Sequence, residues 1–262
     1  ATWINTIKKS TPAAKSEIIN MLASNGYSSA YAPALQQMQS SDAATRMSVM
    51  NAAAISGKSA AIPALLGIMK KADAAEAASV KNALLLLDNK DVVSAISGAI
   101  AGASNPGKAA LLDVLGEKAA GDQVSLAVPY LTNADPAIKS AAGKALEKMV
   151  GSRNLPEIFA MLSASSDPAD QKNLQNILIS GLNGINNADQ RSAMLLQQYQ
   201  ATPAAQKAKL YPVFSGTGGP SALQTISNDY ANTGDAEKSA IISALSGWKN
   251  GEATNTLFRL IG

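Results

Sequence analysis

The chain has 262 residues, of which 47% are apolar, and it contains neither cysteine nor histidine. Their absence excludes thiolate nucleophiles, imidazole bases and almost all zinc or iron sites. The formal net charge is only +3, lysine outnumbers arginine by 18 to 4, and residues 32–129 contain no aromatic side chain, which argues against a surface that binds nucleic acid through clustered cations and base stacking.

A basic residue follows a short polar or proline-marked break at regular intervals. The intervals are 31 to 35 residues, or twice 31 where Ala77 occupies the position. We name these seven residues the basic ladder: Lys15, Arg46, Lys108, Lys139, Lys172, Lys207 and Lys238. Seven places further on stand Leu22, Ala53, Leu84, Leu115, Leu146, Ile179, Phe214 and Leu245. This spacing predicts an array of eight repeats.

Each ladder position opens a predicted helix, called helix B. Apolar residues recur three, six and seven places after it, which is the period of a helix with one buried stripe. In chain order, five of these helices follow a capping residue and a proline: Thr11-Pro12, Asn105-Pro106, Asp135-Pro136, Asp167-Pro168 and Thr202-Pro203. Seven are predicted to end at glycine: Gly26, Gly57, Gly121, Gly151, Gly184, Gly218 and Gly251.

A second apolar segment, helix A, occupies the rest of the repeat. In chain order it is predicted at Tyr31–Gln39, Ala61–Met69, Leu126–Leu131, Leu155–Leu162, Ala222–Tyr230 and Thr254–Ile261. About 31 residues accommodate two short helices and two tight turns, with no room for strands. We therefore predict an all-α fold, a right-handed αα superhelix of about eight helix pairs that forms one domain, residues 1–262.

The segment from Asp135 to Leu146 resembles HEAT repeats, in particular the bacterial HEAT-like repeats of phycobilisome-lyase type. It has the order Asp-Pro, aliphatic, Lys139, then Ala and Ala-Leu, and Asp42 with Arg46 begins a weaker copy. The resemblance implies an armadillo-like α solenoid. It says little about activity, because the residues of this motif are structural.

Two interpretations of the basic ladder are open. Ion pairs with Asp42, Asp135 or Asp235, or with the neighbouring repeat, would make it structural, and each exposed pair would contribute about 0.3–0.5 kcal/mol. The alternative is a row of cations that binds anions.

A second set of residues lies five places after the basic position, on the outward side of helix B. We name it the polar row: Asn20, Asn51, Asn82, Asp113 and Lys144. In HEAT-type solenoids helix B generally lines the concave surface, and helices stacked about 8–10 Å apart would extend the row over roughly 40 Å. Tyr211 is expected at the edge of the same groove. The alternative is an ordinary solvated helix face.

These patterns predict a non-catalytic scaffold that binds a protein, or a neighbouring domain of the same chain, through the concave helix-B face. We expect no catalytic residue, metal, cofactor or nucleic acid, and a monomer without a transmembrane segment. The alternative is the accessory region of an exported bacterial carbohydrate-processing enzyme whose catalytic domain lies outside this segment.

The composition also suggests a location. A chain without cysteine and with few charges suits a periplasmic or otherwise exported protein, while a cytoplasmic location stays open. The apolar stripe of Thr254–Ile261 would need a further helix to cover it, so we expect residues 1–262 to be a segment of a longer protein.

Overall fold

The computed structural model describes residues 2–261, and within this range every regular element is a helix. The predicted all-α fold of repeated helix pairs is confirmed. The chain divides into two compact units, residues 1–145 and 146–262. The single continuous domain expected from the sequence stays a prediction.

The first unit is a stack of helix pairs. Its α-helices are α1 (Thr2–Lys9), α2 (Pro12–Ser24), α3 (Tyr31–Gln37), α4 (Ala43–Ser48), α5 (Met50–Gly57), α6 (Ile62–Met69), α7 (Ala74–Leu85), α8 (Asn89–Ala99), α9 (Asn105–Glu117), α10 (Val124–Ala127) and α11 (Pro136–Met149), the last of which contains the unit boundary. Helix B of one pair packs on helix B of the next, α2 on α5, α5 on α7 and α7 on α9. Each repeat thus buries its apolar stripe against its neighbour.

The second unit repeats the same arrangement. Its α-helices are α12 (Leu155–Ala164), α13 (Pro168–Asn183), α14 (Ala188–Ala201), α15 (Tyr211–Thr217), α16 (Pro220–Tyr230), α17 (Asp235–Ser246) and α18 (Thr254–Ile261). Helices α13, α15 and α17 are the helix-B members, and they pack on one another in that order. The sequence pattern had not located α1, α8 and α14, which complete the first, fourth and seventh pairs.

The core follows the predicted register except at Ile179, which is half-buried, while the adjacent Leu178 is fully buried. Seven places after the basic position, Leu84 and Leu115 in the first unit and Leu146 and Phe214 in the second unit have no exposed surface. Burying a side chain of this size contributes about 1.5–3 kcal/mol. The repeated column therefore accounts for a large part of the stability of each unit.

Polar caps begin most helix-B members, as predicted, but Thr202 instead ends α14, where its hydroxyl donates to the Gln198 carbonyl at 2.8 Å. The Asp42 carboxylate accepts from the Thr45 hydroxyl at 2.6 Å and from the Thr45 amide at 2.8 Å, and these two bonds, the hydroxyl's first, lower the pKa of Asp42. In the fourth pair the cap is Ser104 rather than Asn105, because the Ser104 hydroxyl accepts from the Gly107 amide at 3.2 Å. Proline consequently occupies the second helical position there.

Gly57 has a different role from the predicted helix stop. The left-handed residue at this turn is Lys58, with φ 48°, whereas Gly57 has φ −96°. A Cβ at Gly57 would lie 2.3 Å from the Tyr31 ring, whose hydroxyl donates to the Ala60 carbonyl at 2.6 Å. Glycine is needed here for the close approach of the ring.

Two helix-B members are interrupted. In each case a side chain of the preceding helix B donates a hydrogen bond to a backbone carbonyl at or beside the interruption. The second breaks at Val49, between α4 and α5, and the Asn20 side chain donates to the Ser48 carbonyl at 3.0 Å. In the seventh, a 3₁₀ segment over Ala204–Leu210 precedes α15, because Pro212 has no N–H for an α-helical bond. The Gln175 side chain donates to the Lys209 carbonyl at 2.8 Å.

The fifth helix A is also shorter than predicted. The sequence indicated a helix over Leu126–Leu131, but α10 changes to a 3₁₀ segment over Val128–Thr132. Pro129 lies beyond the first turn of this element and cannot donate to the preceding turn. The proline therefore limits the α-helical part to four residues.

Candidate binding surface

The basic position is defined structurally as the fourth residue after the helix-B cap. At this position Arg46 connects two neighbouring repeats. Its Nε and Nη2 atoms lie 2.7 and 2.6 Å from Oε1 of Glu76 in the next repeat. Its Nη1 donates to the Ser40 and Ser41 carbonyls at 2.7 and 2.9 Å. Arg46 therefore fastens its own turn and the neighbouring helix together, and the structural interpretation of the ladder holds for this residue.

In the second unit two ladder lysines lie over aromatic rings. The Lys207 ammonium is 4.4 Å from the centroid of the Tyr199 ring, and that of Lys238 is 5.7 Å from the Tyr230 ring. Cation–π contacts of this kind contribute about 0.5–1 kcal/mol at exposed sites. Lys238 thus contacts the Tyr230 ring rather than the predicted partner Asp235.

The assignment of Lys172 to the ladder was wrong by one residue. Counting four places from the Asp167 cap gives Gln171, whose side chain donates to the Ser165 carbonyl at 2.9 Å. This bond matches the one from Arg46 to the carbonyl six residues before it. Lys172 is exposed, whereas Lys15, Lys108 and Lys139 are half-buried.

The polar row does point outward from helix B, but its members have different surroundings. Asn51, Asn82 and Lys144 are exposed, and the side chains of the two asparagines make no hydrogen bond to other described residues. The Asn20 side-chain amide already donates to the Ser48 carbonyl, and Asp113 forms an ion pair with Lys81 at 3.1 Å. The amides available to a ligand are those of the second and third repeats.

Exposed apolar side chains accompany these two asparagines. Ile55 and Leu86 stand one helical turn after Asn51 and Asn82, and they are 42% and 55% exposed. Residues four apart share one helix face, so each amide has an aliphatic neighbour on the same face. Ile55 and Leu86 were not predicted from the sequence, although they occupy the same register in consecutive repeats. We name Asn51, Ile55, Asn82 and Leu86 the amide–aliphatic patch.

Tyr211 does not belong to this surface. Its side chain is only 1% exposed, and its ring centroid lies 6.4 Å from that of Tyr199. Burial, followed by the charge of Glu237, raises the pKa of the Tyr211 hydroxyl. The prediction that Tyr211 lines the edge of a groove is therefore wrong, because the residue packs in the core of the second unit.

The described residues contain no group of three or more acidic side chains placed to hold a metal ion. One helical stretch, Ala43–Met69, is long and apolar enough to cross a membrane by length and composition alone. The structure divides it into α4, α5, a 3₁₀ segment and α6. Met50, Leu65 and Met69 from this stretch are fully buried in the first unit, so its apolar character is explained by packing between repeats.

The stacked pairs and structural ladder define a class of α-helical repeat proteins. Comparison with protein families assigns residues 1–85 to HEAT repeats. Over residues 1–85 this match supports the HEAT-like repeat family that the sequence resembles, and the matched region contains Asn51, Ile55 and Asn82. Repeats of this family generally serve as protein-interaction scaffolds without catalytic function. A comparison with curated proteins gives no match.

Proposed function

We propose that this protein is a non-catalytic scaffold that binds an extended protein segment, or a neighbouring domain, through the helix-B face of its first unit. The observation that carries the proposal is the amide–aliphatic patch. Two asparagine side chains without a bond to any described residue and two exposed aliphatic side chains recur in the same register on consecutive helix-B members.

The chemistry of the patch fits a polypeptide. An asparagine side chain offers both donors and an acceptor, and can therefore bond to the N–H and C=O groups of an extended chain. Ile55 and Leu86 expose apolar surface whose burial contributes about 25 cal/mol per Å². Asparagine is also a poor helix former, disfavoured by several tenths of a kcal/mol relative to alanine, so a functional reason would account for it at both positions.

The polar row would extend this patch toward the later repeats, because Asn20 on the other side already bonds to the Ser48 carbonyl. Lys144 is exposed, and Asp113 lies at the surface beside Lys81. A partner that followed the row toward these residues would meet charges of both signs. The amide–aliphatic patch is accordingly the centre of the proposed interface, and the charged positions form its edge.

The test compares the wild type with the double variant Asn51→Lys and Asn82→Lys by affinity capture from envelope and soluble cell fractions. The matched control is Ala32→Lys with Ser94→Lys, which adds the same charge at two exposed positions on helix-A members. Captured proteins would be purified and their Kd values measured with all three chains. We expect the patch variant to weaken binding at least about 10-fold, since unpaired or charged groups at an interface cost 1–3 kcal/mol each.

A partner that binds both variants as tightly as the wild type would contradict the proposal. Circular dichroism of each variant establishes that the fold is retained. The fraction that contains the partner also tests the exported location that the composition suggests, because an exported scaffold should find its partner in the envelope.

A further inference from the structure

A cavity of about 350 Å³ lies in the first unit, where α1, the start of α2 and α3 meet. Its lining consists of Ile7, Lys15, Pro33, Gln36, Gln37, Gln39 and Ser40. The cavity is separate from the amide–aliphatic patch, because none of the four patch residues contributes to it. Among the side chains that the structure describes here, the lining contains one cation and no carboxylate.

The basic ladder explains why Lys15 lacks a carboxylate partner. Arg46 pairs with Glu76, the residue immediately before the ladder position of the next repeat. For Lys15 the corresponding residue is Thr45, whose hydroxyl donates to Asp42 at 2.6 Å. Among the described residues Lys15 makes no ion pair or hydrogen bond through its side chain. The first repeat thus has the ladder cation without the acid that pairs with it in the second repeat.

The surrounding sequence reinforces the positive charge. Residues 1–41 contain Lys8, Lys9 and Lys15 but only one acid, Glu17. Glu17 is exposed and does not line the cavity. A concave site with one sign of charge attracts ligands of the opposite sign.

The polar lining indicates which anion would fit. Three glutamine side chains supply neutral donors and acceptors, and Ser40 adds a hydroxyl. One ammonium group balances one negative charge, whereas phosphate sites usually combine several cationic or backbone donors. We propose that this cavity binds a carboxylate carried on an amide-containing ligand, with Lys15 pairing with the carboxylate and the glutamines bonding to the amide.

The same chemistry belongs to a free N-acyl amino acid and to the carboxyl end of a peptide. The test is an NMR titration of the full 15N-labelled chain, following the side-chain amides of Gln36, Gln37 and Gln39 at constant ionic strength. The probes are N-acetylglycine, its uncharged amide, a tripeptide with a free carboxylate, and inorganic phosphate. Stronger binding of the tripeptide than of N-acetylglycine would identify a peptide end as the better ligand.

We expect saturable shifts with N-acetylglycine and none with its amide. Lys15→Gln should weaken binding at least about 10-fold, the effect of losing a charge-assisted hydrogen bond, while Lys15→Arg should retain it. The matched control Lys108→Gln removes a ladder lysine that does not line the cavity. Equal affinity in Lys15→Gln, equal shifts with the amide, or stronger binding of phosphate would each overturn the proposal. The backbone spectrum of each variant shows whether it is folded.

Discussion

Replacement of Arg46 by methionine should destabilise the first unit much more than an ordinary surface substitution. The side chains of Arg46 and Glu76 are only 21% and 10% exposed. Methionine keeps most of the aliphatic packing and removes the ion pair together with the bonds to the Ser40 and Ser41 carbonyls. Glu76 would then be a nearly buried carboxylate without its cation.

The size of the effect follows from this partial burial. Exposed ion pairs contribute about 0–1 kcal/mol, whereas removing one partner of a fully buried pair costs about 3–5 kcal/mol. For the Arg46–Glu76 geometry we expect Arg46→Met to lower the free energy of unfolding by about 2–3 kcal/mol. Glu76→Gln should cost less, since Arg46 would keep its two backbone carbonyls. The double variant should show a coupling of about 1–2 kcal/mol.

Urea unfolding monitored by circular dichroism gives the three free energies, and hydrogen exchange locates the effect. Exchange should accelerate in α4 and α7, which Arg46 joins, while α16 and α17 in the second unit stay protected. An Arg46→Met chain whose stability lies within about 0.5 kcal/mol of the wild type, the usual range for surface substitutions, would refute the structural role of the ladder at this position.

Five further substitutions distinguish structural from solvent-exposed positions. Asn51→Ala should stabilise the chain by roughly 0.5 kcal/mol through helix propensity, whereas Asn20→Ala should be destabilising by about 0.5–1 kcal/mol because it removes the bond to a neighbouring carbonyl; thermal unfolding compares the two. Gly116→Ala should cost about 1–3 kcal/mol, since its Cβ would lie 2.8 Å from the Cα of Ala145, while Gly143→Ala, where a Cβ meets nothing within 4 Å, should be stabilising in the same assay. Burial raises the pKa of Asp229 above 3.8 in the folded chain, with a smaller contribution from Glu237. Ionisation of Asp229 therefore opposes folding. Asp229→Asn should raise Tm at pH 7, and this gain should disappear as the pH falls below 3.8.

The repeat architecture could be predicted because its causes are local in sequence. The spacing of caps and apolar residues fixes where each helix B begins and which side it buries, as Leu84 and Leu115 show. Lys172 was misassigned because the prediction counted from the nearest basic residue. The register is set by the Asp167 cap. Helices α8 and α14 were missed because no ladder residue or proline marks where they begin.

The candidate surfaces could be predicted only in part. The sequence indicated that Asn20, Asn51 and Asn82 point outward, but all three look equivalent in the pattern. The break at Val49, which no proline or glycine announces, directs the Ser48 carbonyl toward Asn20 and occupies its amide. Contacts between repeats therefore decide which members of a periodic row are available to a ligand.

The side-chain bonds at the interrupted helices also bear on the order in which the repeats fold. Asn20 donates to the Ser48 carbonyl and Gln175 to the Lys209 carbonyl, so in both cases the donor belongs to the repeat that the ribosome completes first. Each interrupted helix B can use its predecessor as a template while the rest of the chain is still being synthesised. At these two interruptions the donor side chain is therefore already in place when the carbonyl that needs it leaves the ribosome.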